Sequence, residues 1–409
     1  MRALAMRLRL HPMTIEIRTP TEDERDQLAA CMAVSLNFGP AWTEHRAPSV
    51  PLDQFRCAFD GDRLLSAAGA RPFAQWFGGR ELRMTGVFGV ATLPEHRGTG
   101  LASRAITHLL HEARGDGVTL SALYPATLRP YRRLGYELAG SFVTHAVRLD
   151  DLPSVSSPLA AEPYATADLD DVRACYRRVA SSHDGPVDSD DPMWWPDRIV
   201  GHWNPDETHR VVVVRSEAGL VEGYLSYVHQ PATGELDVSF DLAAKQFVWS
   251  TAAALHSLLG YARGHRGVGQ ALTFTGPPAA PLSLMVEEQR VTIDRTLRWM
   301  LRLLDVPGAL EARGYADVSG SATVGVEDEL FADNRGPWRI EASDGEVRVT
   351  RVEGVDAPVV SIGTLSSLYS GFVSARDAVR LGLLSGPEEG VEFLTRLFSG
   401  RPPFMYDFF

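Results

Sequence analysis

Apolar and polar residues alternate at Ile15-Glu16-Ile17-Arg18, the period of a strand with one covered face. Thr21 and Glu24 then have the spacing of a capping box, ahead of Leu28, Cys31, Met32 and Leu36 on one face of a helix. Residues 54–59 and 64–70 read as strands around the turn Asp60-Gly61-Asp62, which predicts a hairpin. Gly78-Gly79 turns the chain into a further strand over 82–90. A helix follows, with Ala102, Ile106, Leu109 and Leu110 on one face, then the short apolar run Leu120-Ser121-Ala122-Leu123.

The Pro/Ser-rich residues 152–158 read as a linker, and beyond them the rhythm repeats. Residues 169–180 are helical in period, and 210–215, 222–228 and 236–242 are strand-like. A second helix runs over 248–263 and a strand over 271–275. The last part shows strand-like 338–341 and 346–352 and helical 375–382, a mixed α+β pattern. At 409 residues the chain is too long for one such unit and predicts two or three domains.

Composition narrows the partners. Hydrophobic content of 44% and charged content of 22% are those of a soluble globular protein, and no apolar run is long enough to span a bilayer. A net charge of −12 argues against nucleic acid and favours cationic small molecules. Cys31, Cys57 and Cys175 show no pair spacing and read as core thiols, consistent with a cytoplasmic location. Residues 1–12 carry Arg2, Arg7 and Arg9 without the hydrophobic region of a signal peptide; we expect a disordered extension, with Met13 as a plausible alternative start.

Candidate chemistry centres on residues 90–104. A strand ending in Val90-Ala91-Thr92 leads through Pro94 into Arg97-Gly98-Thr99-Gly100-Leu101-Ala102, where the helix opens. Glycines there let an anion approach the backbone, and the N–H groups at a helix start, with the positive dipole end, suit a pyrophosphate. Arg97 adds a fixed charge. Arg266-Gly267-Val268-Gly269-Gln270-Ala271 has the same spacing but follows a helix and precedes a strand, the wrong end to present N–H groups.

The first run resembles the acetyl-coenzyme A loop of the GNAT N-acetyltransferases, Arg/Gln-x-x-Gly-x-Gly/Ala. Tyr131-Arg132-Arg133-Leu134-Gly135-Tyr136 is similar to that family's Tyr-x-x-x-Gly-Phe/Tyr segment. Further along, Asp305-Val306-Pro307-Gly308-Ala309-Leu310-Glu311-Ala312-Arg313-Gly314-Tyr315 resembles a junction of the enhanced intracellular survival (Eis) acetyltransferases. Leu365-Ser366-Ser367-Leu368-Tyr369-Ser370-Gly371 is similar to a turn of the same family, and the aromatic tail over 402–409 matches its ending.

This resemblance implies an α+β chain of tandem GNAT-like domains and a sterol-carrier-like domain. On this reading 13–151 is the working acetyltransferase domain, 152–158 the linker, 159–304 a degenerate copy and 305–409 the sterol-carrier-like domain. At the place of the pyrophosphate turn the copy has Leu242-Ala243-Ala244-Lys245-Gln246, without glycine or arginine. The resemblance also implies acetyl-coenzyme A as donor, polyamines such as aminoglycosides or lysine side chains as acceptors, and a homo-hexamer built as a dimer of trimers.

Val90, Ala91, Thr92, Arg97, Gly98, Thr99, Gly100, Leu101 and Ala102 are then the expected cofactor contacts. Tyr131 is the expected general acid, and the α-carboxylate of Phe409 the expected general base. Phe38, Trp42 and Trp76 are expected on the acceptor side. Asp407 joins them, although the mycobacterial family member has its acidic residue directly beside the final Phe. No metal ligand set stands out. The acidic cluster Asp188, Asp190 and Asp191, lying among Pro and Ser, reads as a solvated loop. The competing readings are a lipid or sterol carrier whose acetyltransferase domain only binds coenzyme A, and an acetyltransferase of protein N-termini.

Overall fold

The computed structural model describes residues 14–39, 42–201, 207–232, 238–353 and 357–409. The extension expected at 1–12, and Met13, lie outside the described residues. The chain forms two compact units, one of residues up to 71 with 87–115, the other of 72–86 with 116–409.

In the first unit the strand Ile15–Arg18 pairs antiparallel with Phe55–Asp60, and that strand with residues 63–69. The Asp60-Gly61-Asp62 turn makes the expected hairpin, with Gly61 at a φ of 60°. Glu24 accepts the Thr21 backbone N–H at 2.8 Å, so the acidic half of the capping box is in place ahead of the helix Arg25–Leu36. Gln27 on that helix accepts from Leu64 N–H and donates to the Asp62 carbonyl, both at 3.0 Å, and so pins helix to hairpin. Leu28, Cys31 and Met32 bury against Phe55, Cys57, Phe59 and Ala67. The helix Leu101–Gly115 buries Leu101, Ala105, Ile106, Leu109 and Leu110. Each of its buried Leu and Ile side chains contributes roughly 1.5–3 kcal/mol.

The second unit contains a long mixed sheet. From Leu120–Leu123 it runs through Thr292–Leu303, Glu137–Arg148, Gly269–Gly276, Phe240–Trp249, Val221–Pro231 and Arg210–Arg215 to Ala161–Pro163. The strand Thr292–Leu303 was not visible as a strand in the sequence. Its first half carries Asp294, Arg295 and Arg298 and is mostly exposed, while Trp299 to Leu303 are wholly buried. Sequence placed the second pyrophosphate-turn equivalent at 242–246. Those residues instead lie inside the strand Phe240–Trp249. The strand-to-helix turn comes later, and the Thr251 hydroxyl fills the helix start by accepting from Ala254 N–H at 3.2 Å.

A separate four-stranded sheet, in the order Glu346–Arg351, Gly336–Ser343, Gly320–Glu327, Val359–Ser361, forms the last domain with the helices Ile362–Tyr369, Ala375–Arg380 and Glu388–Leu397. Its interior is filled by Val324, Trp338, Ile340, Leu365, Phe393 and Leu397. The Leu-Ser-Ser-Leu-Tyr run expected as a turn is the helix Ile362–Tyr369, buried along its whole length. It ends before Gly371, at a φ of 79°. Its serines join the two sheets: Ser367 donates to the Leu138 carbonyl at 2.6 Å, and Ser366 accepts from Leu303 N–H at 3.1 Å.

A buried ion pair fixes this junction. Arg302 and Asp328 are both fully buried and meet in a two-pronged contact of 2.7 and 2.8 Å. Burial raises the Asp328 carboxyl, but the Arg302 charge and the hydrogen bonds from Asn334 and Arg302 outweigh it, so its pKa is lowered. A lowered carboxylate pKa stabilises the fold above its unfolded value of 3.8, and that contribution is lost as pH falls through the folded pKa. Asp328→Ala leaves the guanidinium buried and unpaired and should cost about 3–5 kcal/mol in urea unfolding at pH 7. Wild-type stability in that variant would show the pair to be dispensable.

Candidate active site

The expected pyrophosphate loop sits where a strand becomes a helix. The strand Arg80–Thr92 gives way to a short turn over Pro94–His96, and the fifteen-residue helix Leu101–Gly115 begins directly after Gly100. Gly98 and Gly100 have φ of 78° and 81°, in the left-handed region, and a Cβ on either would meet nothing within 4 Å. Glycine is needed here for conformation, and the space before the helix stays open. Thr99 Oγ1 donates to the His96 carbonyl at 2.6 Å and holds the turn. Arg97 is exposed and, among the described residues, forms no ion pair. Val90 and Thr92 are half-buried, Ala91 and Leu101 are buried, and Ala102 is half-buried on the first helical turn. The first helical N–H groups and an unpaired arginine therefore face open space, a fit for the phosphates of a coenzyme A donor.

The run Arg266 to Ala271 behaves oppositely. The N–H groups of Arg266, Val268 and Gly269 are taken up by helix-end carbonyls, and a Cβ on Gly269 would come within 2.8 Å of Leu149.

Gly100→Leu should weaken acetyl-coenzyme A binding ~10-fold or more, because a side chain with positive φ costs about 1–2 kcal/mol and fills the approach. Gly61 is equally strained at a φ of 60° and equally open, so Gly61→Leu separates backbone strain from ligand contact. Calorimetric titration showing equal losses at both positions would remove Gly100 from the site.

Tyr131 is on the short helix Leu128–Arg132, its ring edge-on to Tyr136 with centroids 6.3 Å apart. The side chain is buried, and burial raises its pKa. Among the described residues its hydroxyl has no hydrogen-bond partner, whereas Tyr136 is committed to Ser121 Oγ at 2.6 Å. Gly135, with φ of 81°, explains the spacing of this motif, since a Cβ there would lie 1.6 Å from the Arg302 guanidinium. That guanidinium also donates to the Leu134 carbonyl.

The tail is ordered by backbone and side chains together. Ser141 N–H donates to the Pro403 carbonyl at 3.2 Å, and Met405 N–H to the Ser141 carbonyl at 3.0 Å. Gly185, at a φ of 106°, lets Phe404 approach, since a Cβ there would be 2.5 Å from its carbonyl oxygen. Tyr124, just past the strand Leu120–Leu123, donates its hydroxyl to the Asp407 carbonyl at 2.7 Å. The Phe409 ring lies 4.7 Å from that of Phe73 and 5.6 Å from that of Tyr124. Gly86 lies against the same ring, because a Cβ there would be 2.7 Å from Phe409 Cε2. Ser121, which holds Tyr136, and Tyr124, which holds the tail, are three residues apart, about 10 Å along an extended chain.

Three expectations on side-chain placement change. Asp407 is not open to an acceptor: its carboxylate is buried, paired with Arg198 and bonded by Gln246 Nε2 at 2.9 Å. Trp76 is buried against Tyr176 rather than walling a cleft. Asp188 is fully buried and accepts from Arg173, Arg177 and the Trp195 indole, so this member of the acidic cluster is anchored, while Asp190 stays exposed to solvent. Phe38, 37% exposed, stacks on Trp42 at 4.5 Å and remains accessible. Phe73, Tyr124 and Arg198 were missed. The only signal was the unusual Trp194-Trp195-Pro196-Asp197-Arg198 run. Cys31, Cys57 and Cys175 are buried as expected, their thiols pushed by burial to about 11, 12 and 11.

A family model described as acetyltransferase (GNAT) domain matches residues 16–139, and another of the same description matches 189–303. A sterol carrier protein domain matches 306–406. The chain is 26% identical to an uncharacterized N-acetyltransferase of Streptomyces griseus, over 97% of this chain and all of that one. It is similar to the crystal structure of a GCN5-related N-acetyltransferase from Anabaena variabilis, with a TM-score of 0.90 and 27% identity over 97% of this chain and all of that one. It shares the fold of Eis1 from Mycobacterium abscessus, with a TM-score of 0.79 and 22% identity over 97% of this chain and all of that one.

The chain is a GNAT N-acetyltransferase with an Eis-like fold. Two GNAT domains precede a sterol carrier protein domain, and the mixed content of helix and strand makes this acetyltransferase α+β. Proteins of this fold generally use acetyl-coenzyme A as acyl donor. Among the described residues no helix is long and apolar enough to cross a membrane.

Proposed function

We propose that this acetyltransferase moves an acetyl group from acetyl-coenzyme A to amino groups of polyamines, aminoglycosides or lysine side chains, at more than one position where several amines are present. The observation that carries the reading is the open left-handed turn at Gly98 and Gly100 before the helix Leu101–Gly115. Residues 90–92 and 97–102 hold the donor. The negative net charge of −12 favours cationic acceptors, and Phe38, exposed and stacked on the half-buried Trp42, is offered to their apolar parts.

Transfer is direct. The α-carboxylate of Phe409 accepts the proton leaving the attacking amine as the new C–N bond forms. As the C–S bond breaks, Tyr131 gives its phenolic proton to the departing sulfur. The Phe409 carboxyl then gives up the amine's proton to solvent and the Tyr131 phenolate takes one back from solvent, which restores both groups. A free α-carboxyl has a pKa of ~3.5, too low for an efficient base in water, and apolar surroundings raise it. The packing of the Phe409 ring against Phe73 and Tyr124 supports an apolar setting for the end of the chain. The raised pKa of Tyr131 keeps it in the protonated form that a general acid needs. Assembly as a dimer of trimers belongs to the same proposal, and sedimentation measures it.

A lipid-carrier reading is less well supported, because the interior of the last domain is filled by its own side chains. Thiol release from acetyl-coenzyme A with an aminoglycoside, a linear polyamine, a lysine peptide and a free protein N-terminus tests the proposal. Release is expected with the first three. No release with any amine would favour the carrier, and release with the N-terminus alone would replace the acceptor class.

A further inference from the structure

We infer that Arg198 and Asp407 form a buried latch that sets the register of the C-terminal tail, and that the second GNAT domain supplies its socket. This rests on the role proposed for the Phe409 carboxylate. Arg198 is carried by the helix Trp194–Val200, with its guanidinium among the rings of Trp195, Trp194 and Tyr176 at 4.6, 5.0 and 5.0 Å. It pairs with Asp407 Oδ2, and the two side chains are 9% and 6% exposed. Gln246, from the strand Phe240–Trp249, donates to Asp407 Oδ1 at 2.9 Å. The Tyr176 hydroxyl, which donates to the Val187 carbonyl, lies 3.4 Å from Oδ2. Three elements of the second domain thus meet on one carboxylate.

Backbone bonds to Ser141 and Asp184 hold the tail as far as Met405. Beyond that point Tyr406, Phe408 and Phe409 flank Asp407 in sequence, and contacts of aromatic rings alone distinguish poorly between neighbouring registers. A buried ion pair adds little net stability, but it penalises any register that leaves the arginine unpaired. A slip of one residue would set Tyr406 or Phe408 against Arg198 and move the terminal carboxylate by up to ~3.5 Å. The latch also touches the bed of the terminal ring: Trp194, stacked on Arg198, meets Phe73 edge-on at 4.9 Å, and Phe73 carries Phe409. Arg198 and Asp407 are positioning residues, since neither is placed on the substrates.

The test pairs a steady-state assay with release of the terminal residue by carboxypeptidase, using Asp407→Asn, Arg198→Met, Arg198→Lys and the Asp407→Asn/Arg198→Met double variant. A displaced base should lower kcat ~10²-fold with the KM for acetyl-coenzyme A unchanged. The double variant should fall no further than either single one, because both remove the same contact. Arg198→Lys, which keeps the charge, should recover part of the loss. Phe409 should be released faster from each single variant than from wild type. Unchanged release from Asp407→Asn, the variant that alters least volume, would overturn the latch even if Arg198→Met does not fold. Faster release with unchanged kcat would uphold the latch and overturn the role of the terminal carboxylate.

Discussion

Replacing Tyr131 with Phe is expected to lower turnover ~10²-fold or more while acetyl-coenzyme A affinity stays unchanged. The ring stays, so contact with Tyr136 and the local packing are preserved. Only the hydroxyl is lost, and among the described residues that hydroxyl has no protein partner, so the fold loses no hydrogen bond. Burial raises the Tyr131 pKa, which places its deprotonation on the alkaline side of a phenol's ordinary range. Wild-type turnover should therefore hold through neutral pH and fall as pH rises through that raised value. The Phe variant should lack this alkaline limb. Tyr136→Phe is the contrast: its hydroxyl is bonded to buried Ser121, so the change should reduce stability more than rate. A Tyr131→Phe enzyme with wild-type turnover across the pH range would end the acid assignment.

The strand-turn-helix from residue 80 to 115 was legible because its signals are local: glycines where φ is positive, and apolar positions at helical spacing. The hairpin around Gly61 and the capping residue Glu24 were legible for the same reason. The aromatic tail was conspicuous because so many rings in so few residues are costly to leave in water. What escaped depends on partners carried by other elements of the chain. Asp407 looked like a substrate contact because nothing near it in sequence shows that Arg198 and Gln246 will enclose it. Asp188 looked solvated because its guanidinium partners lie on the preceding helix, Leu169–Ala180. The helix Ile362–Tyr369 is covered on every side, so it lacks the polar face that reveals a helical period. Thr292–Leu303 was hidden by the change along its length from an exposed charged half to a buried apolar one.

The role proposed for the Phe409 α-carboxylate, which the family resemblance implies, would make catalysis depend on the end of the chain. If the Phe409 α-carboxylate takes the amine's proton, the reaction requires a charge that no side chain of the tail replaces. Asp407 is already paired, and Phe408 and Phe409 carry none. Deleting Phe409 would leave a carboxylate displaced by up to ~3.5 Å, beyond hydrogen-bond reach of its former position. Amidation is cleaner, because it removes the charge and adds almost no bulk. The decisive measurement is thiol release by protein carrying a C-terminal amide, made by ligating a synthetic tail, beside the same ligation product with a free carboxylate. Turnover should be lower by ~10²-fold or more in the amide, with acetyl-coenzyme A binding equal in both. Equal turnover in the two proteins would remove the Phe409 carboxylate from the mechanism.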